Sequence, residues 1–298
     1  MPGPGTRNTR AAVAHMAPAL SLIAVFIIVP FCLAVAISLT NQRLVPNLNA
    51  PTLFVGLTNY LRLVGRQDFL QAFANTFLFA LIVTPLQSAM GLGAAVLINS
   101  RLPARNVYRA IFFLPTVMTM VVVSVIWFAL YRLDGVFNQL LTLATAGSVG
   151  PVDWLHEPWL ALPAIILLSA WQGFAFQMVI YLAGLQQINP ELYEAARVDG
   201  ATAWDEFWGV TMPCLRNTHV FVLVTTTILA FKLFTQVNMM TQGGPAGATQ
   251  TVVRYIYEQG FTRGSVGLAS AASVVFFLVV LTISIGQRLI FRSEEEVR

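Results

Sequence analysis

Side chains able to do chemistry are few in this sequence and far apart. His15, His156 and His219 fall in three separate segments, whereas a metal centre needs three or four ligands converging on one point, so no metal site is expected from them. Cys32 falls toward the outer end of the first long apolar run and Cys214 at the inner edge of the fifth, so they imply no disulfide. A phosphate-cradling loop requires Gly-Lys-Ser/Thr, and the sole lysine, Lys232, follows Phe231. ATP hydrolysis through that motif is therefore not expected of this chain, nor is a bound cofactor. No nucleophile and base stand at a spacing that would suit an intramembrane enzyme.

Two features remain. One is Lys232, the lone charge in a long apolar run. The other is the segment from Asn189 to Trp204. Asn189 can cap a helix, Pro190 suits its first position, Glu191 and Glu194 complement its positive start, and Gly200 can end it in a left-handed conformation. The pattern predicts a short helix, a tight turn, and a second short helix from about Ala203 to Val210 that leads to Pro213. A capped connector between any two membrane spans could be built the same way.

These features have to be held by elements that suit lipid. Of the 298 residues 57% are hydrophobic and 10% charged, against about 25% charged in a soluble domain. Six apolar runs recur: Ala17–Leu39, Ala72–Ile98, Ala110–Leu130, Pro158–Ile188, Asn217–Thr241 and Leu268–Gln287. Each reaches the roughly 20 residues that a helix needs to cross the hydrocarbon. Barrel strands would be shorter and alternating, and a buried soluble helix would carry a polar stripe. The expected fold is all-α: a polytopic membrane protein with about six transmembrane helices over residues 16–291, between tails 1–15 and 292–298.

Arginine placement orients the chain. With a cytoplasmic N-terminus, ten arginines (7, 10, 101, 105, 109, 197, 216, 288, 292 and 298) lie inside and six (43, 62, 66, 132, 254 and 263) outside, which fits the positive-inside rule and predicts both termini in the cytoplasm. The pI of 9.4 then reads as topology and lipid headgroup contact, and nucleic acid is not an expected partner. Arg7 and Arg10 before the first run, with Ala34-Val35-Ala36 inside it, could suggest a signal peptide. The run is longer than a 7–15-residue signal core, so a retained helix is expected. Met1–Arg10 is expected to be disordered. Of the longer outer connections, Thr40–Gln71 and Tyr131–Glu157, the first places Tyr60-Leu61-Leu63-Val64 and Phe69-Leu70 as short interfacial helices.

The cytoplasmic segment then becomes specific. Glu194-Ala195-Ala196, Gly200, Val210 and Met212-Pro213, at these spacings, resemble the signature of binding-protein-dependent ABC permeases, with Val210 and Met212 where Ile and Leu are more usual. Gly243-Gly244-Pro245, an ordinary turn by itself, is followed by Thr249, Thr251, Tyr255-Ile256-Tyr257 and Phe261. Together with Val55-Gly56-Leu57, Asn59-Tyr60, Phe113-Leu114-Pro115, Gly135 and Asn138, this is similar to the first permease subunit of maltose and glycerol-3-phosphate type carbohydrate importers. The resemblance implies that a cytoplasmic coupling helix carrying Glu194, Ala195, Ala196, Asp199 and Gly200 docks on a separate ATPase. It also implies a second homologous permease, two copies of the ATP-binding subunit, an external solute-binding protein, and ATP and magnesium held by the ATPase in the bacterial inner membrane.

The same resemblance places solute contacts at Ser169, Gln172, Gly173 and Phe176 in the fourth span, and at Thr226, Leu229, Ala230 and Leu233 in the fifth. The first four also share one helix face. They read either as a sugar-binding face, with hydroxyl, amide and aromatic ring, or, for Ser169 and Gly173, as a small-residue packing face. Leu229, Ala230 and Leu233 offer no hydrogen bonds. A charge such as Lys232 inside a span costs about 2.5–3.5 kcal/mol, leaving four readings: a salt bridge to the second permease, attraction of an anionic solute, snorkelling, or an incidental neutral lysine. Snorkelling is disfavoured by the nine residues, about 13.5 Å, that follow to Thr241. A stand-alone transporter or channel is the functional alternative, weakened by the lack of intramembrane carboxylates.

Overall fold

The computed structural model describes residues 15–45, 51–100 and 105–292. Most of both tails, and Arg101 of the basic connection, lie outside them. Among the described residues, five helices are long and apolar enough to cross a membrane, six if one sharply bent pair counts as a span. The only pairing of extended backbone among the described residues is a single antiparallel bridge between Thr40 and Phe54. The chain forms two compact units, one ending at Arg66 and completed by Tyr255–Leu278, the other comprising Gln67–Arg254 and Val279–Arg298.

In the first unit, α1 (His15–Ser38) is apolar on all sides and largely exposed, as a helix surrounded by lipid must be. Its C-terminal carbonyls are met by a side chain from α2 (Thr58–Val64). Asn59 is buried and donates through Nδ2 to the carbonyls of Ser38 (2.7 Å) and Thr40 (2.8 Å). The Ser38 and Tyr60 hydroxyls stand 2.6 Å apart. α2 buries Leu63 and leaves Leu61 and Val64 exposed, the pattern of a helix lying at a boundary. Phe69 and Leu70 are not a second interfacial helix. They occupy the first turn of a span, because Asp68 at its positive start accepts from the Phe69 N–H and nucleates it there.

The second unit is organised around α3 (Gln67–Asn99) and α7 (Pro158–Leu185), which pack along each other. Lipid is as apolar as leucine, so close backbone approach, rather than apolar burial, favours such pairs. Gly91 supplies it: a Cβ there would come within 2.7 Å of the Gln177 Cβ and 3.1 Å of the Phe174 carbonyl. α10 (Arg216–Phe231) completes the group, with Ala95, Met178, Tyr181, Leu182, Leu215 and Val222 in a shared core.

The third apolar run is not one straight helix. α4 (Arg105–Val117) and α5 (Met120–Leu130) meet at 98°. Pro115 withholds an N–H near the end of α4, and Thr119, in extended conformation, caps α5 by accepting from Val122. After α5, the short α6 (Val136–Ala144) is tied down by Asn138, which donates to the Arg132 and Val152 carbonyls and accepts from the Val152 N–H and Trp154 indole. After the short α12 (Val252–Tyr257), α13 (Val266–Arg292) is the last span.

Gly91 and Gly93 make a paired test. Gly91→Val should destabilise the folded subunit by roughly 1–3 kcal/mol through overpacking. Gly93→Ala, whose Cβ meets nothing within 4 Å, should leave it unchanged or slightly more stable. Thermal unfolding in detergent reads both, and equal effects would refute the close crossing.

Candidate functional site

A cleft of about 380 Å³ opens on the second unit. Phe79, Val83 and Gln87 of α3 form one wall, and Ser169, Gln172, Gly173, Phe176 and Gln177 of α7 another. Thr116 and Met120 reach it from either side of the α4–α5 bend. Leu229, Ala230, Lys232, Leu233, Thr235 and Gln236 close it from the fifth span.

That fifth span is broken. α10 stops at Phe231, and helix resumes only in α11 (Thr235–Met240). An unwound turn at membrane depth exposes carbonyls that must find donors. The Leu229 carbonyl accepts from Lys232 N–H, the Ala230 carbonyl from Leu233 N–H, and the Leu233 carbonyl from the buried Thr251 hydroxyl at 2.9 Å. Thr251 is itself held by the loop containing Gly243-Gly244-Pro245. In that loop Gly243 has φ +85° and its Cβ position is blocked by Gln250. Asn75 of α3 donates to the carbonyls of Gly247 and Gln250, and Thr76 accepts from the Val252 N–H. The glycine-proline motif is thus a structural clamp on the break.

Lys232 is the residue at the end of α10. It is not buried within a continuous helix, as the sequence pattern implied, because the chain unwinds at it. Its side chain is exposed on the cleft, and no ion pair or hydrogen bond engages it among the described residues. Ser169 is nearly buried: its hydroxyl donates to the Ile165 carbonyl and accepts from Gln236. Gln172 and Gly173 are partly exposed, and Phe176 and Leu229 present open apolar surface to the cleft. Ala230 and Leu233 touch it from buried positions. Thr226 does not line it. It lies behind the wall, accepting from Gln177 at 3.0 Å.

Sequence reasoning passed over three glutamines. Gln177 donates through Nε2 to Gln87 Oε1 and to Thr226, while Gln87 donates to the Ser169 carbonyl at 2.6 Å. Gln87 occupies the space that a Cβ on Gly173 would need, so Gly173 is there for this amide. Gln236 completes the row. Their signal was available: three amides within otherwise apolar spans, each needing a partner.

The predicted cytoplasmic hairpin is formed by α8 (Pro190–Val198). Asn189 accepts from the Glu191 N–H, so capping falls to Asn189, and Glu194 stands exposed without a capping role. At the other end, the Ala201 N–H reaches the Ala196 carbonyl and the Gly200 N–H the Arg197 carbonyl, with Gly200 at φ +84°. This double bond pattern is the Schellman motif. Ala195, Asp199 and Gly200 are exposed, Ala196 partly so, and nothing lies within 4 Å of a Cβ on Gly200. The second helix, α9 (Ala203–Glu206), is capped by Thr202 and Asp205 bonding reciprocally. It does not stop near Val210 but continues through a π turn, Phe207–Thr211, into Met212–Cys214. The extra residue of that turn absorbs the register where Pro213 has no N–H to give.

Arg197 joins the two helices, donating to both Glu206 carboxylate oxygens at 2.7 and 3.2 Å. That hydrogen bond, and to a smaller extent the guanidinium charge, hold the Glu206 carboxyl below its ordinary value, and they raise Arg197. Hydrogen bonds from Thr202 lower Asp205 likewise.

His156 bonds Asp153 and His219 bonds Tyr181. Both cysteines are free thiols. No group of three or more His, Cys, Asp or Glu is placed to hold a metal among the described residues.

Residues 87–294 match the family described as binding-protein-dependent transport system inner membrane component. The lactose transport system permease protein of Rhizobium radiobacter is 35% identical over 274 residues, 90% of each chain. The trehalose/maltose transport system permease protein of Thermococcus litoralis is 34% identical over 270 residues, covering 90% of this chain and 89% of that one. Among solved structures, the chain shares its fold with a chain of a bacterial alginate ABC transporter in complex with an alginate pentasaccharide-bound periplasmic protein, at TM-score 0.83, 22% identity and 96% coverage of both chains.

The hairpin generates a pH prediction. A carboxyl whose folded value is depressed contributes stability that is complete above its unfolded value and is lost as pH falls through the folded one. Backbone hydrogen-exchange protection over residues 197–206, corrected for intrinsic rates, should therefore hold at neutral pH and decline below the ordinary glutamate range. In Glu206→Gln the Arg197-dependent part of that decline should be absent, and an unchanged acid response would refute the assignment.

Proposed function

The chain belongs to the binding-protein-dependent transport system inner membrane components, and from that premise we propose that it conducts a sugar or sugar-like solute as one permease subunit of an ATP-driven importer. One observation carries the reading. The exposed hairpin Pro190–Cys214 is continuous in chain with α7 on one side and α10 on the other, and those two helices are walls of the cleft. They also pack closely where they approach the hairpin, since a Cβ on Gly184 would press on Thr218 and Leu215. A partner that moves the hairpin therefore moves both walls as rigid bodies, the usual basis of alternating access.

The cleft chemistry supports a carbohydrate. Gln172 offers a partly exposed amide, and Phe176 offers a flat apolar face. The relatives named for lactose and for trehalose and maltose point the same way. In this reading a second homologous permease closes the open side of the cleft, two copies of an ATP-binding subunit take the hairpins, and an external solute-binding protein delivers the solute. ATP and magnesium belong to the ATPase, and this chain binds neither. Both termini and the hairpin face the cytoplasm of the bacterial inner membrane, as the arginine distribution favours. Family membership displaces the stand-alone transporter reading.

Slim, exposed Ala195, Ala196 and Gly200 are the docking knob. Ala196→Asp, which a helix tolerates, and Gly200→Asp should each reduce solute-stimulated ATP hydrolysis of the assembled complex by at least about tenfold, because an unpaired charge in a docked interface is costly. Wild-type stimulation in a complex that retains its ATPase would overturn the assignment.

A further inference from the structure

Resting on the permease reading, we infer that the transported solute carries an anionic group, a carboxylate or phosphate on a carbohydrate, and that Lys232 is its counter-ion. Lys232 stands at the break in the fifth span with its side chain exposed on the cleft. A cation at membrane depth has to be compensated. The end of α10 is favourable to positive charge, but three carbonyls at the break do not need the ammonium. Those of Leu229, Ala230 and Leu233 are already met by the Lys232 N–H, the Leu233 N–H and Thr251. All three ammonium protons are left for an acceptor outside the described residues.

No residue lining the cleft is an aspartate or glutamate, so the compensating charge is not supplied from this wall. The surroundings favour a solute over a subunit seam. Lys232 shares the cleft with the partly exposed Gln172 amide and the Phe176 ring, and with the hydrogen-bonded row of Gln87, Gln236 and Ser169. Neutral donors, acceptors and an aromatic face suit hydroxyls and a sugar ring, and one ammonium adds a single charge-assisted bond that a neutral sugar cannot use. Binding a neutral sugar would leave that charge uncompensated, so the arrangement selects by charge.

Four probes test this on the purified complex of permeases and ATPase: digalacturonate against its dimethyl ester, and maltose 6′-phosphate against maltose, each titrated calorimetrically. In at least one pair the charged member should bind about tenfold or more tightly, the effect of one charge-assisted hydrogen bond, and the pair that shows it distinguishes carboxylate from phosphate. The ratio should collapse toward one in Lys232→Met, survive in Lys232→Arg, and shrink with added salt. A ratio near one in the wild type, whether from equal binding or from no binding by any of the four, overturns the inference, as does a ratio unchanged in Lys232→Met. It is also overturned if Lys232→Met sheds the second permease and removal of a carboxylate from that subunit restores it, because the lysine then belongs to the interface. Failure of the underlying reading looks different: no ATPase would co-purify, and the reconstituted complex would take up no carbohydrate.

Discussion

A backbone amide or carbonyl inside lipid has no water to fall back on, and the helix breaks beside the cleft are shaped by that demand. The α4–α5 bend and the unwound turn after α10 both open on the same cleft. At the first, Thr119 caps the new helix and Thr116 donates to the Gln172 carbonyl. At the second, Thr251 takes the Leu233 carbonyl. At each of these breaks a threonine hydroxyl takes up a backbone group, a local cap at the first and a distant residue at the second.

The same demand explains the extended loop after α11. Its left-handed glycines and the Asn75 and Thr76 bonds to α3 hold Thr251 where the break needs it. Function and scaffold are therefore linked residue by residue: the loop positions Thr251, Thr251 supports the break, and the break presents Lys232. The glutamine row does comparable work across the helix pair. Gln87, Gln177 and Gln236 tie α3, α7 and α11 together through Ser169 and Thr226, so the polar wall is cross-braced where apolar side chains alone would leave it free to slip.

At the hairpin the logic changes, because water is available and local signals suffice. Asn189, Pro190 and Gly200 specify α8, and Thr202 with Asp205 starts α9. The Arg197–Glu206 pair ties the two helices together, and Ala195 and Gly200 stand exposed beside it. The hairpin is continuous in chain with α7 and α10, two walls of the cleft.

Periodicity, composition and capping residues determined the spans, the membrane solvent and the hairpin, since each is set by neighbours within a few residues or by total apolar length. Tertiary structure alone decided the rest. The third run bends by 98° because Thr119 can cap a new helix, which apolar content does not reveal. The fifth run unwinds at Lys232 because Thr251, 18 residues on from Leu233, supplies the missing donor. Thr226 lies behind the wall and Gln87 in it because α3, more than 80 residues before α7 in the case of the Gln87–Ser169 contact, brings its amide into the space beside Gly173. Local chemistry can be read along a chain, but the partner that satisfies a buried polar group belongs to the fold.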